Sequence, residues 1–164
     1  MKKIILSLCP LLLFVTLAHA GQEDYPSPDG KFRAVIIGLR MGESRVIVIT
    51  KKGRTVCSKS YGSEDGEHGY AAVKAEWTPN SIFFVYSLAS SGGHQPWRSP
   101  TYFVSTQDSR IRSLDDYVGA VTEPEFELSP PDRLRAVGTR DYAVDEGTPF
   151  EVSLSELVAR EKRK

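Results

Sequence analysis

The residues best suited to binding a partner stand together in one segment, residues 89–100. The adjacent glycines Gly92 and Gly93 allow backbone N–H groups to point at an anion or a partner's carbonyl oxygen. Trp97 and Arg98 place a flat apolar ring beside a forked donor, and both residue types are enriched at the centres of protein interfaces. The segment therefore predicts a binding site, and its residues are Ser91, Gly92, Gly93, His94, Gln95, Trp97 and Arg98.

The length of this segment supports the same interpretation. It interrupts two strand-like stretches, residues 82–88 and 101–105, with twelve residues, whereas hairpin loops usually contain about two to five. Long loops of this kind often carry binding residues. The alternative is that Trp97 and the two neighbouring prolines only fasten a long loop to the sheet, and the sequence leaves both interpretations open.

Catalytic motifs are absent from the sequence. It contains no G-x-S-x-G, no H-E-x-x-H, no P-loop and no glycine-rich dinucleotide turn. A serine nucleophile at Ser90 or Ser91 would need His94 as its base, and residues so close in one loop rarely have the rigid geometry that activation demands. We therefore predict a protein without catalytic residues, metal or cofactor, and keep a small hydrolase using His94 as the alternative.

Two other polar features carry weaker hypotheses. Residues 62–69 combine three acids with His68, but their spacing differs from that of a calcium-binding EF-hand, so a solvated loop is the preferred interpretation. The acids Glu123, Glu125 and Glu127 alternate along one strand and are typical of a solvent-facing sheet surface. Cys57 is interpreted as a small buried hydrophobic residue rather than a reactive thiol.

The first twenty residues have the features of a signal peptide. Lys2 and Lys3 precede a mostly apolar run at residues 4–18, and Ala18-His19-Ala20 has the small-x-small pattern of a cleavage site. The run is shorter than the roughly 20 residues that a spanning helix requires. The sequence thus predicts cleavage after Ala20, a periplasmic or secreted location, and one β-rich domain at residues 21–164.

Composition limits the classes of function. The 164 residues include 21 basic and 21 acidic side chains, so the formal net charge is zero. This balance argues against a highly basic nucleic-acid-binding protein and against an acidic disordered chain. Beyond the leader Cys57 is the one remaining cysteine, which excludes a scaffold held by disulfide bonds within the chain.

The pattern of apolar residues predicts a chain made almost entirely of strands. Residues 31–39 and 45–50 are rich in Val and Ile and are expected to be central strands. Ser153 and Glu156 have the spacing of a capping box and predict a short C-terminal helix. The fold class is all-β, with antiparallel meanders packed as a small sandwich or as blade-like sheets. Further strands are predicted at residues 55–61, 71–77, 82–88, 101–105, 110–114, 123–128, 134–140 and 150–154.

Three turn-and-strand units repeat along the chain. Pro28, Pro79 and Pro130 are spaced 51 residues apart, and each stands in a turn that precedes a strand. The segment SPDGKFRAV at residues 27–35 resembles the turn and first strand of the PD40 repeats in TolB-type β-propellers, and SPPDRLRAV at residues 129–137 is an imperfect second copy. The resemblance implies blade-like antiparallel sheets and a role in protein interaction. Three units are fewer than the four to eight blades of a typical propeller.

Together these features predict an exported binding domain that recognises an envelope protein or cell-wall component through residues 90–98. One alternative is an inhibitor or immunity protein of an envelope hydrolase, in which His94 or Arg98 would meet a catalytic carboxylate. Another is a structural subunit whose sheets pair edge to edge with copies of themselves. We expect no nucleic-acid partner and no stable membrane insertion after cleavage.

Overall fold

The computed structural model describes residues 21–39, 42–62, 69–90, 98–140 and 147–163. These ranges form three antiparallel sheets and two short helices. The predicted all-β class, the blade-like sheets and the C-terminal helix are confirmed. The elements are β1 (Gln22–Pro26), β2 (Phe32–Gly38), β3 (Ser44–Thr50), β4 (Thr55–Ser60), β5 (Tyr70–Trp77), β6 (Phe83–Ser90), β7 (Thr101–Ser105), β8 (Ile111–Ser113), α1 (Asp115–Val118), β9 (Ala120–Ser129), β10 (Arg133–Thr139), β11 (Thr148–Ser153) and α2 (Leu154–Glu161).

Each sheet is a meander of strands that follow one another in the chain. The first sheet has the order β1-β2-β3-β4, the middle sheet β5-β6-β7-β8, and the third sheet β11-β10-β9. The strands β2 and β3 are central, as their Val and Ile content predicts. In the described ranges the three sheets do not close into a ring.

The middle sheet is buried on both faces because it lies between the other two. Side chains of β6 alternate between two buried clusters, with Phe84, Tyr86 and Leu88 packing toward the first sheet and Phe83 and Val85 toward the third. The residues at positions 83–88 are therefore all buried. Helix α2 contributes Leu154, Leu157 and Val158 to the cluster shared with the third sheet.

The turns before β2 and β6 share one hydrogen-bond network. The Ser27 hydroxyl donates to Asp29 Oδ1 at 2.8 Å and accepts from the backbone N–H of Phe32 at 3.0 Å. The Thr78 hydroxyl makes the same two bonds, to Asn80 Oδ1 at 2.8 Å and from the N–H of Phe83 at 3.0 Å. These two turns are therefore structural repeats, although their sequences are less alike than SPDGKFRAV and SPPDRLRAV.

The third turn departs from the repeat. Six residues separate the paired positions Pro26 and Arg33, and six separate Trp77 and Phe84, but five separate Leu128 and Leu134. Because side chains alternate along a strand, one residue fewer reverses the faces of β10. Ala34 therefore packs toward the sheet that follows it, whereas its sequence counterpart Ala136 packs toward the sheet before it.

Two elements are additional to the predicted ones. Strand β1 has the sequence QEDYP, which lacks apolar alternation, and it joins the first sheet by backbone pairing along β2. Helix α1 contains four residues and follows β8 directly, so it is too short to show a helical period. The strand β9 is an edge strand, in agreement with the position of Pro124.

Candidate binding surface

Most of the predicted binding loop lies outside the described residues. This applies to Ser91, Gly92, Gly93, His94, Gln95 and Trp97, and among the site residues only Arg98 is described. Strand β6 ends and strand β7 begins at the same end of the middle sheet, since Ser87 near the end of β6 pairs with Thr101 at the start of β7. We call this end of the first and middle sheets the loop end.

Arg98 is held firmly at the foot of the loop. Its Nε and Nη2 groups donate to Asp115 Oδ2 at 3.0 and 2.8 Å. The Asp115 side chain is 5% exposed and that of Arg98 is 32% exposed. Backbone hydrogen bonds hold the residues next to this pair. The N–H of Ser99, which follows Arg98, donates to the Val121 carbonyl, and the N–H of Leu114, which precedes Asp115, donates to the Thr101 carbonyl, each at 2.8 Å. The guanidinium is thus positioned by the fold.

Burial raises the pKa of the Asp115 carboxyl above its ordinary value, and the ion pair with Arg98 offsets only part of this effect. A buried carboxylate is expensive to keep charged unless a cation stands beside it. The structure places Arg98 in that role. One face of the guanidinium is consequently committed to Asp115, while about a third of the side chain remains open to solvent.

A tyrosine cluster lies at the same end of the sheets. The hydroxyl groups of Tyr61 and Tyr86 are hydrogen-bonded at 2.5 Å, and the Tyr102 ring stacks on Tyr86 with centroids 5.7 Å apart. The Lys59 ammonium lies 4.6 Å from the Tyr102 ring centre and 5.0 Å from that of Tyr61. This geometry is favourable for cation–π attraction. Tyr70 adjoins the cluster through a bond from its N–H to the Tyr61 carbonyl.

Electrostatics connect the tyrosine cluster to the Arg98 ion pair. Burial raises the pKa of Tyr102, the Asp115 charge raises it further, and the Arg98 charge opposes them. These groups are therefore near neighbours. We use the name tyrosine–arginine surface for Lys59, Tyr61, Tyr70, Arg98 and Tyr102. It combines the exposed Lys59 and the partly exposed Arg98 with the half-buried rings of Tyr70 and Tyr102 and the buried ring of Tyr61. Tyrosine and arginine are the residue types among these that are enriched at protein interfaces.

Of the five residues of this surface, Arg98 was named as a candidate from the sequence and the other four were not. Lys59 lies at the end of β4 and Tyr61 directly follows that strand, whereas Tyr70 begins β5 and Tyr102 belongs to β7. Their positions in the chain are unremarkable, and the pairing of strands brings them together. The one available signal was that Tyr61, Tyr70 and Tyr102 all stand at predicted strand ends next to the two longest loops.

The weaker candidates have different outcomes. Cys57 is half-buried rather than buried as predicted, and it packs against the cluster between the first and middle sheets. Desolvation raises its thiol pKa to about 11, which is unfavourable for a reactive thiolate. Residues 63–68 lie outside the described ranges, so the proposed solvated loop stays a prediction. Glu123, Glu125 and Glu127 are exposed as expected, and Glu125 accepts a bond from Lys74 Nζ at 3.0 Å.

The described part of the chain lacks both a cluster of metal-ligating side chains and a membrane-spanning helix. It holds no group of three or more His, Cys, Asp or Glu side chains arranged to bind a metal ion. None of its helices is both long and apolar enough to cross a membrane.

Substitution of Asp115 by asparagine is expected to change how stability depends on pH. A carboxyl whose pKa is raised by folding binds a proton more readily in the folded chain, so its contribution to stability grows as pH falls toward the ordinary value near 4. The Asp115→Asn variant should lose this increase. Denaturant midpoints between about pH 7.5 and 4.5 measure it.

The matched control for this experiment is Asp116→Asn, because Asp116 is the adjacent acid and is exposed. Its pH profile should follow that of the unaltered protein. Equal slopes for Asp115→Asn and the unaltered protein would contradict the assignment of a raised pKa to Asp115.

Comparison with known proteins relates this chain by fold only. Its sequence matches no protein-family profile and no curated protein. Among solved structures, it is similar to an uncharacterised protein from Listeria monocytogenes EGD-e, with a TM-score of 0.51 and 11% identity over 81% of this chain. It also aligns with a puromycin hydrolase, with a TM-score of 0.45 and 14% identity over 85% of this chain. The chain spans 36% of the Listeria protein and 21% of the hydrolase, so what it shares with the former is an arrangement of sheets.

Proposed function

We propose that this protein is an exported binding domain that recognises an envelope protein or a cell-wall component at the loop end of its first two sheets. The observation that carries the proposal is the tyrosine–arginine surface. There the Lys59 ammonium lies within 5.0 Å of two tyrosine ring centres, close to an Arg98 guanidinium that Asp115 holds in place.

The fixed geometry of this surface favours recognition. Tyrosine and arginine lose less conformational entropy on binding when the folded protein already orders them. Here Tyr102 is stacked on Tyr86, which is fully buried. Arg98 donates two hydrogen bonds to one carboxylate oxygen of Asp115. A partner would therefore meet a largely preformed surface that offers aromatic edges and positive charge.

Charge suggests the chemistry of the partner. Arg98 is paired with Asp115, whose charge it balances. The exposed Lys59 places a second positive charge over the Tyr61 and Tyr102 rings, and the Asp116 charge acts on Tyr102 as well. Such a surface favours a partner that presents carboxylate groups together with apolar or sugar-ring faces, which stack on tyrosine.

Export rests on the leader-like residues 1–20, which the sequence alone supports. In this proposal the protein acts outside the cytoplasm and uses no cofactor. The hydrolase alternative depends on His94, which lies outside the described residues. The inhibitor alternative depends on His94 or on Arg98, and the Arg98 guanidinium is paired with Asp115 of its own chain.

Affinity capture from envelope extracts tests the proposal with a charge reversal at the surface. The Lys59→Glu variant should reduce the retained partner by about tenfold or more, because it replaces a cation with an anion where a complementary charge is expected. The matched control is Lys52→Glu, which reverses an exposed lysine in the turn after β3, at the other end of the same sheet.

A Trp97→Ala variant extends the experiment to the predicted loop, and partner retention should fall as it does for Lys59→Glu. Equal retention by the unaltered protein, Lys59→Glu and Lys52→Glu would refute the tyrosine–arginine surface. If Trp97→Ala alone reduced retention, the site would belong to the loop without this surface.

A further inference from the structure

We propose that the outer face of the first sheet binds the same face of a second copy of this chain. The resulting dimer is symmetric, and its two sheets pack face to face. This surface is separate from the tyrosine–arginine surface, since its side chains point away from the middle sheet.

The outer face has an aliphatic centre. The inward positions of β2 and β3 are Ala34, Ile36, Val46 and Val48, which all pack toward the middle sheet. Side chains alternate along a strand, so the positions between them point outward, and neither buried cluster includes them. These outward residues are Val35, which is 6% exposed, and the partly exposed Ile37, Ile47 and Ile49.

Polar groups surround this aliphatic centre. Arg33 Nη1 lies 3.5 Å from Asp24 Oδ1 on the neighbouring strand β1, and Arg45 Nε donates to Ser60 Oγ on β4 at 2.9 Å. Both arginines are exposed. An apolar centre within a polar rim is the usual anatomy of a protein interface.

The repeat shows that this type of face is built to pack on a sheet. A shift of 51 residues aligns Val35 and Ile37 with Tyr86 and Leu88, and the two turns that precede them have the same hydrogen bonds. In the middle sheet, Tyr86 and Leu88 form the face that packs on the first sheet. The equivalent face of the first sheet has no such neighbour among the described elements.

The third sheet is unsuitable as the partner of this face. Its own outer face carries the ion pairs of Arg133 with Glu151 and of Arg135 with Glu127. Covering these groups with an aliphatic sheet would remove their water without supplying hydrogen bonds. A head-to-tail contact between copies is therefore disfavoured, whereas two copies of the first sheet bring aliphatic side chains together.

The size of the face predicts a weak dimer. The four strands have five, seven, seven and six residues, and at about 3.3 Å per residue and about 4.8 Å spacing they give roughly 400 Å² on each copy. Two such faces bury about 800 Å², which is below the roughly 1,000 Å² of a stable specific interface and typical of a weak, transient one. The association should therefore depend on concentration.

Sedimentation velocity of the processed protein, purified after expression in the cell, tests this proposal. The expected result is a monomer–dimer equilibrium that shifts toward dimer as concentration rises. Ile47→Lys should weaken association by raising the dissociation constant about 30-fold or more, because two lysines would meet at an apolar centre. The matched control, Val137→Lys, alters a half-buried aliphatic residue of β10 on the outer face of the third sheet and should leave the equilibrium unchanged.

Circular dichroism confirms that each variant keeps its strands, and Ile49→Lys replaces Ile47→Lys if the latter does not fold. A protein that stays monomeric up to about 1 mM, where a dimer with a millimolar dissociation constant would be half formed, would overturn the proposal. So would a dimer that survives the β3 substitutions, which would point to edge pairing, or one lost in Val137→Lys, which would point to the third sheet.

Discussion

Replacement of Trp77 by alanine is expected to lower the free energy of unfolding by about 3–5 kcal/mol, the usual range for removing a large buried aromatic side chain. Trp77 is 6% exposed, and its ring lies 5.2 Å from that of Phe84 and 6.3 Å from that of Phe32. Its indole N–H also donates to the Tyr25 carbonyl at 2.8 Å. One side chain thus connects the middle sheet to β1 and β2.

Urea denaturation followed by circular dichroism measures this loss and avoids the change in fluorescence that removal of a tryptophan causes. Trp77→Phe separates the two contributions, because it keeps most of the apolar volume and removes the hydrogen bond, at an expected cost of about 1–3 kcal/mol. The control Val73→Ala alters the same strand at a side chain that is 51% exposed and should change stability by less than about 0.5 kcal/mol. A Trp77→Ala cost as small as this would contradict the described packing.

The second large effect is expected at Asp108. The Arg112 side chain is 5% exposed and donates to Asp108 Oδ1 and Oδ2 at 3.1 and 2.6 Å, and to Glu161 Oε2 at 2.7 Å. Asp108→Ala removes two of these acceptors and leaves a buried guanidinium with Glu161 alone. We expect a loss of about 2–4 kcal/mol, which is reduced from that of a fully buried pair because Asp108 is partly exposed.

The pH dependence of this effect has a definite sign. Hydrogen bonds from Arg112 hold the pKa of the Asp108 and Glu161 carboxyls below their usual values. Their contribution is therefore present above the ordinary pKa near 4 and is lost as pH falls through the lowered values. Asp108→Ala should remove part of the acid-induced loss of thermal stability between about pH 4 and 2.5, opposite in sign to the Asp115 effect.

Asp116→Ala serves as the control, because Asp116 is an exposed acid. Its substitution should change the free energy of unfolding by less than about 0.5 kcal/mol. The network around Arg112 connects β8 to α2, and so fastens the terminal helix over the cluster between the middle and third sheets. An unchanged melting temperature of the Asp108→Ala variant at pH 7 would show that the contact between Asp108 and Arg112 does not stabilise the fold.

Most of the strands could be predicted because their signals are local. The alternation of Phe126 and Leu128 with glutamates places β9, and Ser153 caps α2 by accepting from the Glu156 N–H. The exceptions lack a local signal. The polar strand β1 exists because β2 offers it a backbone edge, and no pattern within QEDYP indicates that edge.

The repeat illustrates how sequence similarity and structure diverge. SPDGKFRAV and SPPDRLRAV are closely alike, yet the turn before β10 is one residue shorter between paired positions, and Ala136 points to the opposite side of its sheet from Ala34. Thr78 and Ser27 look less alike but make the same bonds. The count of residues between two strands decides the face, and that count depends on which residues pair.

Local chemistry was enough to predict the strand content of this protein and its capped terminal helix, since each depends on neighbouring residues. A binding role for Arg98 stays a prediction. The tyrosine–arginine surface and the pairing of Arg112 with Glu161 could be recognised only in three dimensions. Their members come from separate strands and helices, and the packing of sheets, which a linear pattern does not encode, brings them within contact distance.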